Sequence, residues 1–330
     1  MSDALLTFED FPAGSTLEFG AYPVTKDEII AFASAFDPQP FHLDEEAAAH
    51  SMLGGLAASG WHTCAILMRL NCEGFLNRAD GRGAPGIDEV KWLKPVRPGD
   101  VLGVKAHVLS ARVSQSRPSI GLLLFRFDVH DAAGTIVMTQ TNSVMMGRRG
   151  HEHGPNKIAR PDASTPLLPF DTPSVIPPLS QIEIGQRIVL GTHAFPADEV
   201  IAFARAYDPQ PFHTDPQAAM LGPFGALAAS GWHTAAAWMR TMVDAKKRSA
   251  DVARARGQIP TEAGPSPGFI NLRWLKPVFA GDSITFDTTP LEKRVTSRPG
   301  WGLMRSRNCG INQHGAPVFE FESSAFWRMD

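Results

Sequence analysis

The chain has few cysteines, no block of basic residues and no long apolar run. Its three cysteines, Cys64, Cys72 and Cys309, show none of the spacings of a metal site and cannot all pair with one another. This usage is typical of a reducing compartment, so we expect a cytoplasmic protein. A net charge of −3 gives no electrostatic reason to expect nucleic acid as a partner.

Signals for export or membrane insertion are also lacking. The first residues contain no basic region that leads into an apolar stretch, so the sequence predicts no signal peptide. No apolar segment reaches the roughly 20 residues of a membrane span without a Ser, His or Arg. With 43% hydrophobic and 20% charged residues, the 330-residue chain has the composition of a globular protein large enough for two domains.

What the sequence does contain is an internal repeat. The hexapeptide Asp-Pro-Gln-Pro-Phe-His at 37–42 recurs at 208–213, and the octapeptide Leu-Ala-Ala-Ser-Gly-Trp-His-Thr at 56–63 recurs at 227–234, both 171 positions later. Each hexapeptide follows a segment with helical character. Two long identical segments at one offset predict two halves with the same structure.

Each half has the same predicted order of elements. A helix is predicted over 26–36, opened by a capping box at Thr25 and ended by Pro38. A second, strongly apolar helix is predicted from Gly60 to about Leu70. Strands are predicted at 17–24, 90–96, 101–113, 120–129 and 136–146. This order predicts an α+β unit in which an antiparallel sheet surrounds a helix.

The segment between the two halves is rich in proline. From about 150 to 180 it contains seven prolines and no helical or alternating pattern, which is typical of a semi-rigid linker. We therefore predict an N-terminal domain over 1–150, a linker over 151–180 and a C-terminal domain over 181–330. The repeat offset grows from 171 to 182 at the Trp-Leu-Lys-Pro-Val segments, so the second half carries 11 additional residues, several of them basic.

The motifs together resemble MaoC-like R-specific enoyl-CoA hydratases. They are Asp-x-x-Pro-x-His after a helix, Ala-Ser-Gly-Trp at the start of the next helix, and then Leu-Lys-Pro-Val and Gly-Asp, once in each half. The resemblance implies two hotdog folds, each a curved sheet around a central helix, packed as a pseudo-dimer with one continuous antiparallel sheet. This chain departs from the family where Gln39 and Gln210 replace Asn, and where Phe36 and Tyr207 replace Gly.

The resemblance also implies a site in each half for the reversible hydration of trans-2-enoyl-CoA. Hydration needs an activated water at the β-carbon, a proton at the α-carbon and stabilisation of the thioester oxygen. An acid–imidazole pair serves the first two needs, and a backbone N–H at a helix start serves the third. The positions that match the family's catalytic and oxyanion residues are Asp37, His42 and Gly60, and Asp208, His213 and Gly231. Which member of each pair is the base stays open.

Other residues have two interpretations. Ser59 and Ser230 are either substrate contacts or helix caps, and an Asp before Pro is by itself often a turn residue. Gln39 and Gln210 are candidate supports of the substrate site. Arg117 and Arg298 lie in Ser-Arg-Pro segments and are either contacts for coenzyme A phosphates or solvated side chains. The basic insertion has the same two interpretations. The octapeptide histidines, His62 and His233, are predicted to be structural, and the linker histidines, His151 and His153, not to bind metal.

We expect no metal and no redox cofactor. Coenzyme A is expected only as part of the substrate. No nucleic acid or membrane partner is expected, and self-association of the fused pair is left open. Two other functions remain. A hotdog acyl-CoA thioesterase shares the fold, and a non-catalytic acyl-CoA-binding protein would keep the pocket without the reaction. Because the motif is intact in both halves, we predict two active sites.

Overall fold

The computed structural model describes residues 5–151 and 165–329. These residues form ten strands and eight α-helices, in the same order in each half. The strands are β1 Thr16–Pro23, β2 Gly86–Trp92, β3 Val101–Val113, β4 Ile120–His130, β5 Ile136–Gly147, β6 Ile188–Ala194, β7 Gly268–Trp274, β8 Ser283–Val295, β9 Trp301–Asn312 and β10 Pro317–Arg328. The helices are α1 Lys26–Phe36, α2 Pro40–Leu43, α3 Glu45–Ala49, α4 Gly60–Gly74, α5 Ala197–Tyr207, α6 Pro211–Thr214, α7 Pro216–Leu221 and α8 Gly231–Ala255.

All ten strands belong to one sheet. Its order is β1-β3-β4-β5-β2-β7-β10-β9-β8-β6, and every neighbouring pair is antiparallel. The halves join where β2 pairs with β7, from Gly86 opposite Arg273 to Lys91 opposite Gly268. The five strands of one half therefore repeat those of the other in reverse order about this junction.

Glycine is required at the junction because the two backbones approach closely. A Cβ built on Gly86 would lie 2.0 Å from the Leu272 carbonyl oxygen, and one on Gly268 would lie 2.1 Å from the Val90 carbonyl oxygen. Gly268 also has a φ of +151°, which side-chain-bearing residues rarely adopt. Each half thus contributes one glycine that permits the sheet to continue across the pair.

The central helices α4 and α8 are buried within the curve of the sheet. Every residue of α4 from Trp61 to Leu67 is buried, as expected for a helix that is apolar on all sides. Trp61 stacks on Phe269 of the other half, with ring centroids 4.9 Å apart, and meets Trp238 at 5.9 Å. The hydrophobic core therefore runs through both halves without a break.

The predicted fold class is confirmed: the chain is an α+β protein of two tandem hotdogs with a continuous antiparallel sheet. Two predicted element bounds are wrong. The strand predicted over 90–96 lies at Gly86–Trp92, because Leu93 and Lys94 both donate to the Val137 carbonyl and lead the chain out of the ladder before Pro95. Helix α4 continues beyond Leu70 to Gly74. Within the described residues, no helix is long and apolar enough to cross a membrane.

The proline-rich segment from 165 to 178 is extended and lies along the second half. Ser174 N–H donates to the Val189 carbonyl at 2.8 Å, and Ile176 N–H donates to Ser249 Oγ at 2.8 Å. Two of the seven linker prolines, and His153, lie outside the described residues. The domain boundaries at 150 and 180 stay predictions.

The 11 additional residues of the second half lengthen its central helix. Helix α8 has 25 residues, whereas α4 has 15. Most basic side chains of this extension are exposed, as expected for a solvent-facing helix. The exposed ones are Lys247, Arg248, Arg254 and Arg256. Lys246 differs, because it is partly buried and faces an internal cavity.

Candidate active sites

The first Asp–His pair is formed by a helix end and a short second helix. Asp37 caps the C-terminus of α1, and its N–H donates to the Ala33 carbonyl at 2.8 Å. Proline at the first position of α2 starts a new turn immediately afterwards. This turn brings His42 back towards Asp37, so that Nε2 lies 3.5 Å from Oδ2. Both side chains are buried, at 5% and 3% exposure.

The tautomer of His42 follows from its second nitrogen. Nδ1 is 2.7 Å from the Ala57 carbonyl oxygen, which can only accept, so Nδ1 carries the hydrogen. In the neutral imidazole, Nε2 then has the lone pair, and it faces the Asp37 carboxylate. Two acceptors placed side by side are suited to receive both hydrogens of one water molecule.

Two side chains hold the Asp37 carboxylate in place. Gln39 Nε2 donates to Oδ1 at 2.9 Å, and Ser59 Oγ donates to Oδ2 at 2.6 Å. The same Ser59 oxygen caps α4 by accepting from the Trp61 N–H at 3.2 Å. Ser59 is thus a helix cap that also orients the acid. Gln39, despite its extra methylene relative to Asn, reaches the carboxylate.

Gly60 begins α4 beside this pair. Its N–H has no acceptor among residues 5–151 and 165–329, and it stands at the positive end of the helix dipole. A Cβ on Gly60 would lie 2.4 Å from Trp92 Cε2, so the indole ring packs directly on the glycine. No local sequence pattern indicates this packing, and the packing explains why only glycine fits there.

The second site repeats these contacts. His213 Nε2 lies 3.6 Å from Asp208 Oδ2, and His213 Nδ1 donates to the Ala228 carbonyl at 2.7 Å. Gln210 and Ser230 donate to the two carboxylate oxygens at 2.8 and 2.6 Å. A Cβ on Gly231, which begins α8, would lie 2.2 Å from the ring of Trp274.

One contact of the carboxylate distinguishes the second site. Cys72 Sγ, from helix α4 of the first half, donates to Asp208 Oδ1 at 3.5 Å. Burial, together with the Asp208 charge, raises the pKa of Cys72, so it stays a thiol donor. The equivalent position in α8 is Val243, which has no polar atom to offer Asp37. The two carboxylates therefore have different hydrogen-bond environments.

Each pair opens into a cavity that both halves build. The cavity at Asp37 has a volume of about 340 Å³ and the one at Asp208 about 390 Å³. The motif residues come from one half, and the inner wall comes from the central helix and the sheet of the other. That wall includes Trp238, Met239 and Met242 in the first cavity, and Met68, Asn71 and Phe75 in the second. Neither half contains a complete site.

The rims of the cavities carry exposed side chains. Leu93, Lys94 and Pro267 are exposed at the first cavity, and Leu275, Lys276 and Arg117 at the second. Of the two arginines proposed as coenzyme A contacts, only Arg117 lines a cavity; Arg298 is exposed and lines neither. The Arg117 guanidinium lies 3.2 Å from Met145 Sδ.

Each central helix also fixes the motif of the opposite half. Arg69 Nη1 donates to the Arg205 carbonyl at 2.8 Å, and Arg240 Nη1 donates to the Ser34 carbonyl at 2.9 Å. These carbonyls end α5 and α1, just before the Asp-Pro-Gln-Pro-Phe-His motifs, where a cation interacts favourably with the helix dipole. The sequence pointed to neither arginine, although both sit nine positions after the repeated glycine.

The octapeptide histidines lie outside both cavities. His62 stacks on Phe32 at 4.5 Å, and its Nε2 is 3.3 Å from Glu28 Oε1. Because Glu28 also accepts from Tyr22 Oη at 2.5 Å, only half of the capping box at Thr25 forms, through the Glu28 N–H. These contacts agree with a structural role.

The second half replaces this network with a group of possible metal ligands. His193, Glu199 and His233 have ligand atoms within 4.8 Å of one another, and they form the one such group in the described part of the chain. Burial, and to a lesser degree neighbouring His193, lowers the pKa of His233 to about 3, so its ring is neutral at pH 7. Glu199 is exposed, and the group lies away from both Asp–His pairs.

Two hotdogs fused through one sheet, with a buried Asp–His pair at each of two shared cavities, define a double hotdog protein. The chain belongs to the MaoC-like domain family, because the family described as "MaoC like domain" matches residues 10–119 and 181–300. It is thus a tandem member of the MaoC-like dehydratases.

Known proteins resemble this chain over one half or over both. A putative MaoC domain dehydratase from Chloroflexus aurantiacus is 16% identical with a TM-score of 0.73, covering 100% of this chain and 99% of its own. A Mycobacterium tuberculosis protein described as having a double hotdog fold is 13% identical with a TM-score of 0.68, covering 97% and 98%. The uncharacterized protein YdeM of Bacillus subtilis is 29% identical over 143 residues, 43% of this chain and 100% of its own.

Proposed function

We propose that the protein catalyses the reversible addition of water to trans-2-enoyl-CoA, at two sites. The observation that carries this proposal is the paired geometry: in each half an imidazole Nε2, its tautomer fixed by a carbonyl, lies 3.5 or 3.6 Å from a buried carboxylate oxygen. The same cavity holds the start of a buried helix. Membership of the MaoC-like dehydratase family supports the same reaction class.

The reaction divides into three tasks for these residues. A water between His42 Nε2 and Asp37 Oδ2 gives up a proton to the pair as its oxygen bonds to C3 of the enoyl group. The C2=C3 electrons move towards the thioester, whose oxygen gains negative charge facing the Gly60 N–H. The pair then delivers a proton to C2, which completes the 3-hydroxyacyl product and restores the site. His213, Asp208 and Gly231 do the same in the second cavity.

The coenzyme A portion remains at the rim in this arrangement. The acyl group must enter through the exposed side chains, since the inner walls are buried. Lys94 at the first rim, and Lys276 with Arg117 at the second, supply cations for its phosphates. No metal is required for any step, because water activation and oxyanion stabilisation are both supplied by protein groups. We place the activity in the cytoplasm, where the three free thiols would stay reduced.

Incubation with crotonyl-CoA tests the proposal against its two alternatives. We expect the enoyl absorbance to fall while no free thiol appears, and chiral analysis to give the R-3-hydroxy product. Release of free thiol would instead identify a thioesterase. Binding of crotonyl-CoA without any turnover would identify an acyl-CoA-binding protein. Either of these results contradicts the hydratase proposal.

A further inference from the structure

The two catalytic motifs match, but the inner ends of their cavities do not. The residue 15 positions after the helix-starting glycine is Phe75, which directly follows α4, and Lys246, which lies within α8. Phe75 belongs to the inner wall of the second cavity and Lys246 to that of the first. At equivalent places, one cavity therefore has a phenyl ring and the other an ammonium group.

Lys246 is a cation without a carboxylate partner among the described residues, and it lies between the first cavity and a smaller one of about 280 Å³. It lies on the face of α8 that also presents Met239 and Met242 to the cavity. Its Nζ is 5.4 Å from the centroid of the Trp327 ring, and no carboxylate pairs with it among the described residues. Burial lowers the pKa of Lys246, and the negative charge of Asp37 opposes that shift. An anion bound beside Lys246 would offset the cost of burying this charge.

The sheet adds polar atoms without partners at the same wall. Thr288 and Asn308 face each other across β8 and β9, at 4% and 1% exposure. Asn308 Nδ2 donates to Ser323 Oγ at 3.0 Å, but Asn308 Oδ1 and Thr288 Oγ1 have no hydrogen-bond partner. Unpaired buried polar atoms are costly, so water or a ligand in the cavity must satisfy them, and the Thr288 hydroxyl can donate to an anionic group.

The corresponding wall of the second cavity offers no counterpart of Lys246 among the described residues. The positions equivalent to Thr288 and Asn308 are Ala106 and Phe127, which likewise face each other across two strands. Asn71 Oδ1 and Gln140 Oε1 in that cavity also have no hydrogen-bond partner among the described residues, but amide oxygens only accept and cannot donate to a carboxylate. Of the described residues, three cations line that cavity: Arg117 and Lys276 stand at its exposed rim, and the partly buried Arg82 pairs with Asp80 at 2.7 Å.

We propose that the Asp37–His42 cavity accepts an enoyl-CoA whose acyl chain ends in a carboxylate, bound by Lys246 and the Thr288 hydroxyl. The Asp208–His213 cavity accepts an uncharged chain that packs on Phe75 and Phe127. A coenzyme A phosphate is a poorer partner for Lys246, because the nucleotide must stay at the rim near exposed Lys94 and Pro267. The proposal rests on the hydratase function and specifies the substrate class of each site.

Single-site variants separate the two cavities experimentally. In the Asp208→Asn variant only the first site remains active, and in the Asp37→Asn variant only the second site remains active. The substrates are carbon-matched pairs of five and six carbons, such as trans-2-hexenoyl-CoA and trans-5-carboxypent-2-enoyl-CoA. We expect Asp208→Asn to prefer the carboxylated member in kcat/KM and Asp37→Asn to prefer the uncharged member.

The role of Lys246 is then measured in the Asp208→Asn background. Lys246→Met should lower the ratio of kcat/KM for the carboxylated over the uncharged substrate by about 10- to 100-fold, the usual range for a lost charged hydrogen bond. Thr288→Val should lower the ratio in the same direction by a smaller factor. Lys247→Met, which changes the exposed neighbour, is the matched control and should leave the ratio unchanged.

Each result decides between the two proposals. Equal preferences in the two single-site variants, or an unchanged ratio in Lys246→Met, would overturn the assignment of a carboxylated substrate while hydration of hexenoyl-CoA still stands. The assignment would also be overturned if an analogue with a terminal hydroxyl bound as tightly as the carboxylated substrate. Lys246 would then not distinguish a charged group from an uncharged one. If no enoyl-CoA of either kind is hydrated, the hydratase function itself fails.

Discussion

Replacing both Asp37 and Asp208 with asparagine is expected to lower enoyl-CoA hydration by roughly 100- to 10,000-fold, the range for loss of a general acid–base group. Asparagine keeps the size of the side chain but cannot accept a proton from water. Each single variant should keep about half of the wild-type activity on a substrate that both sites use. The measurement is the initial rate of loss of crotonyl-CoA absorbance for the four proteins.

The exposed acids of the neighbouring helices provide the control for this series. Asp44 and Asp215 cap α3 and α7, where asparagine caps a helix equally well. Asp44→Asn with Asp215→Asn should therefore retain full activity. If Asp37→Asn or Asp208→Asn alone abolishes turnover, only one site is active and the other half serves as a scaffold.

The second large effect is expected at the glycine that begins each central helix. In the Asp208→Asn background, Gly60→Ala should lower kcat by roughly 100- to 1,000-fold, the usual cost of a lost oxyanion donor. The new Cβ would lie 2.4 Å from Trp92 Cε2, so either the helix start or the indole must move. A shift of the helix start would turn the Gly60 N–H away from the thioester oxygen.

Two variants separate this cause from a general loss of structure. Gly81→Ala adds the same methyl group where no atom lies within 4 Å, and in this background it should leave the first site active. Trp92→Leu combined with Gly60→Ala removes the clash and should restore part of the lost rate. A Gly60→Ala protein with full activity would show that the N–H is not the oxyanion donor.

Local sequence signals predicted the elements that carry the motif. Thr25 and Pro38 bound α1 where the sequence placed it, because a cap and a proline act within a few residues of their position. The repeat predicted two halves of the same structure, since two copies of one pattern fold alike, and the family resemblance implied the paired hotdogs. The strand at Gly86–Trp92 was misplaced because two hydrogen bonds to Val137, far along the chain, end it early.

Contacts between the halves could not be predicted from the sequence. Helical spacing shows that Met239, Met242 and Lys246 share a face, but not that this face closes the cavity of the other half's motif. The contact between Cys72 and Asp208 spans 136 positions, and neither residue has a local signal for it. The assignment of roles to the Asp, His, Gly, Ser and Gln residues stays a prediction until variants are measured.

The two sites are tested most directly by the structure of the Asp37→Asn/Asp208→Asn protein with crotonyl-CoA bound. We expect a thioester oxygen about 2.7–3.1 Å from the Gly60 nitrogen in one cavity and from the Gly231 nitrogen in the other. C3 of the acyl group should face Nε2 of His42 and of His213, with coenzyme A at the rim. A thioester oxygen turned away from both helix starts, or an acyl group outside the two cavities, would contradict this expectation.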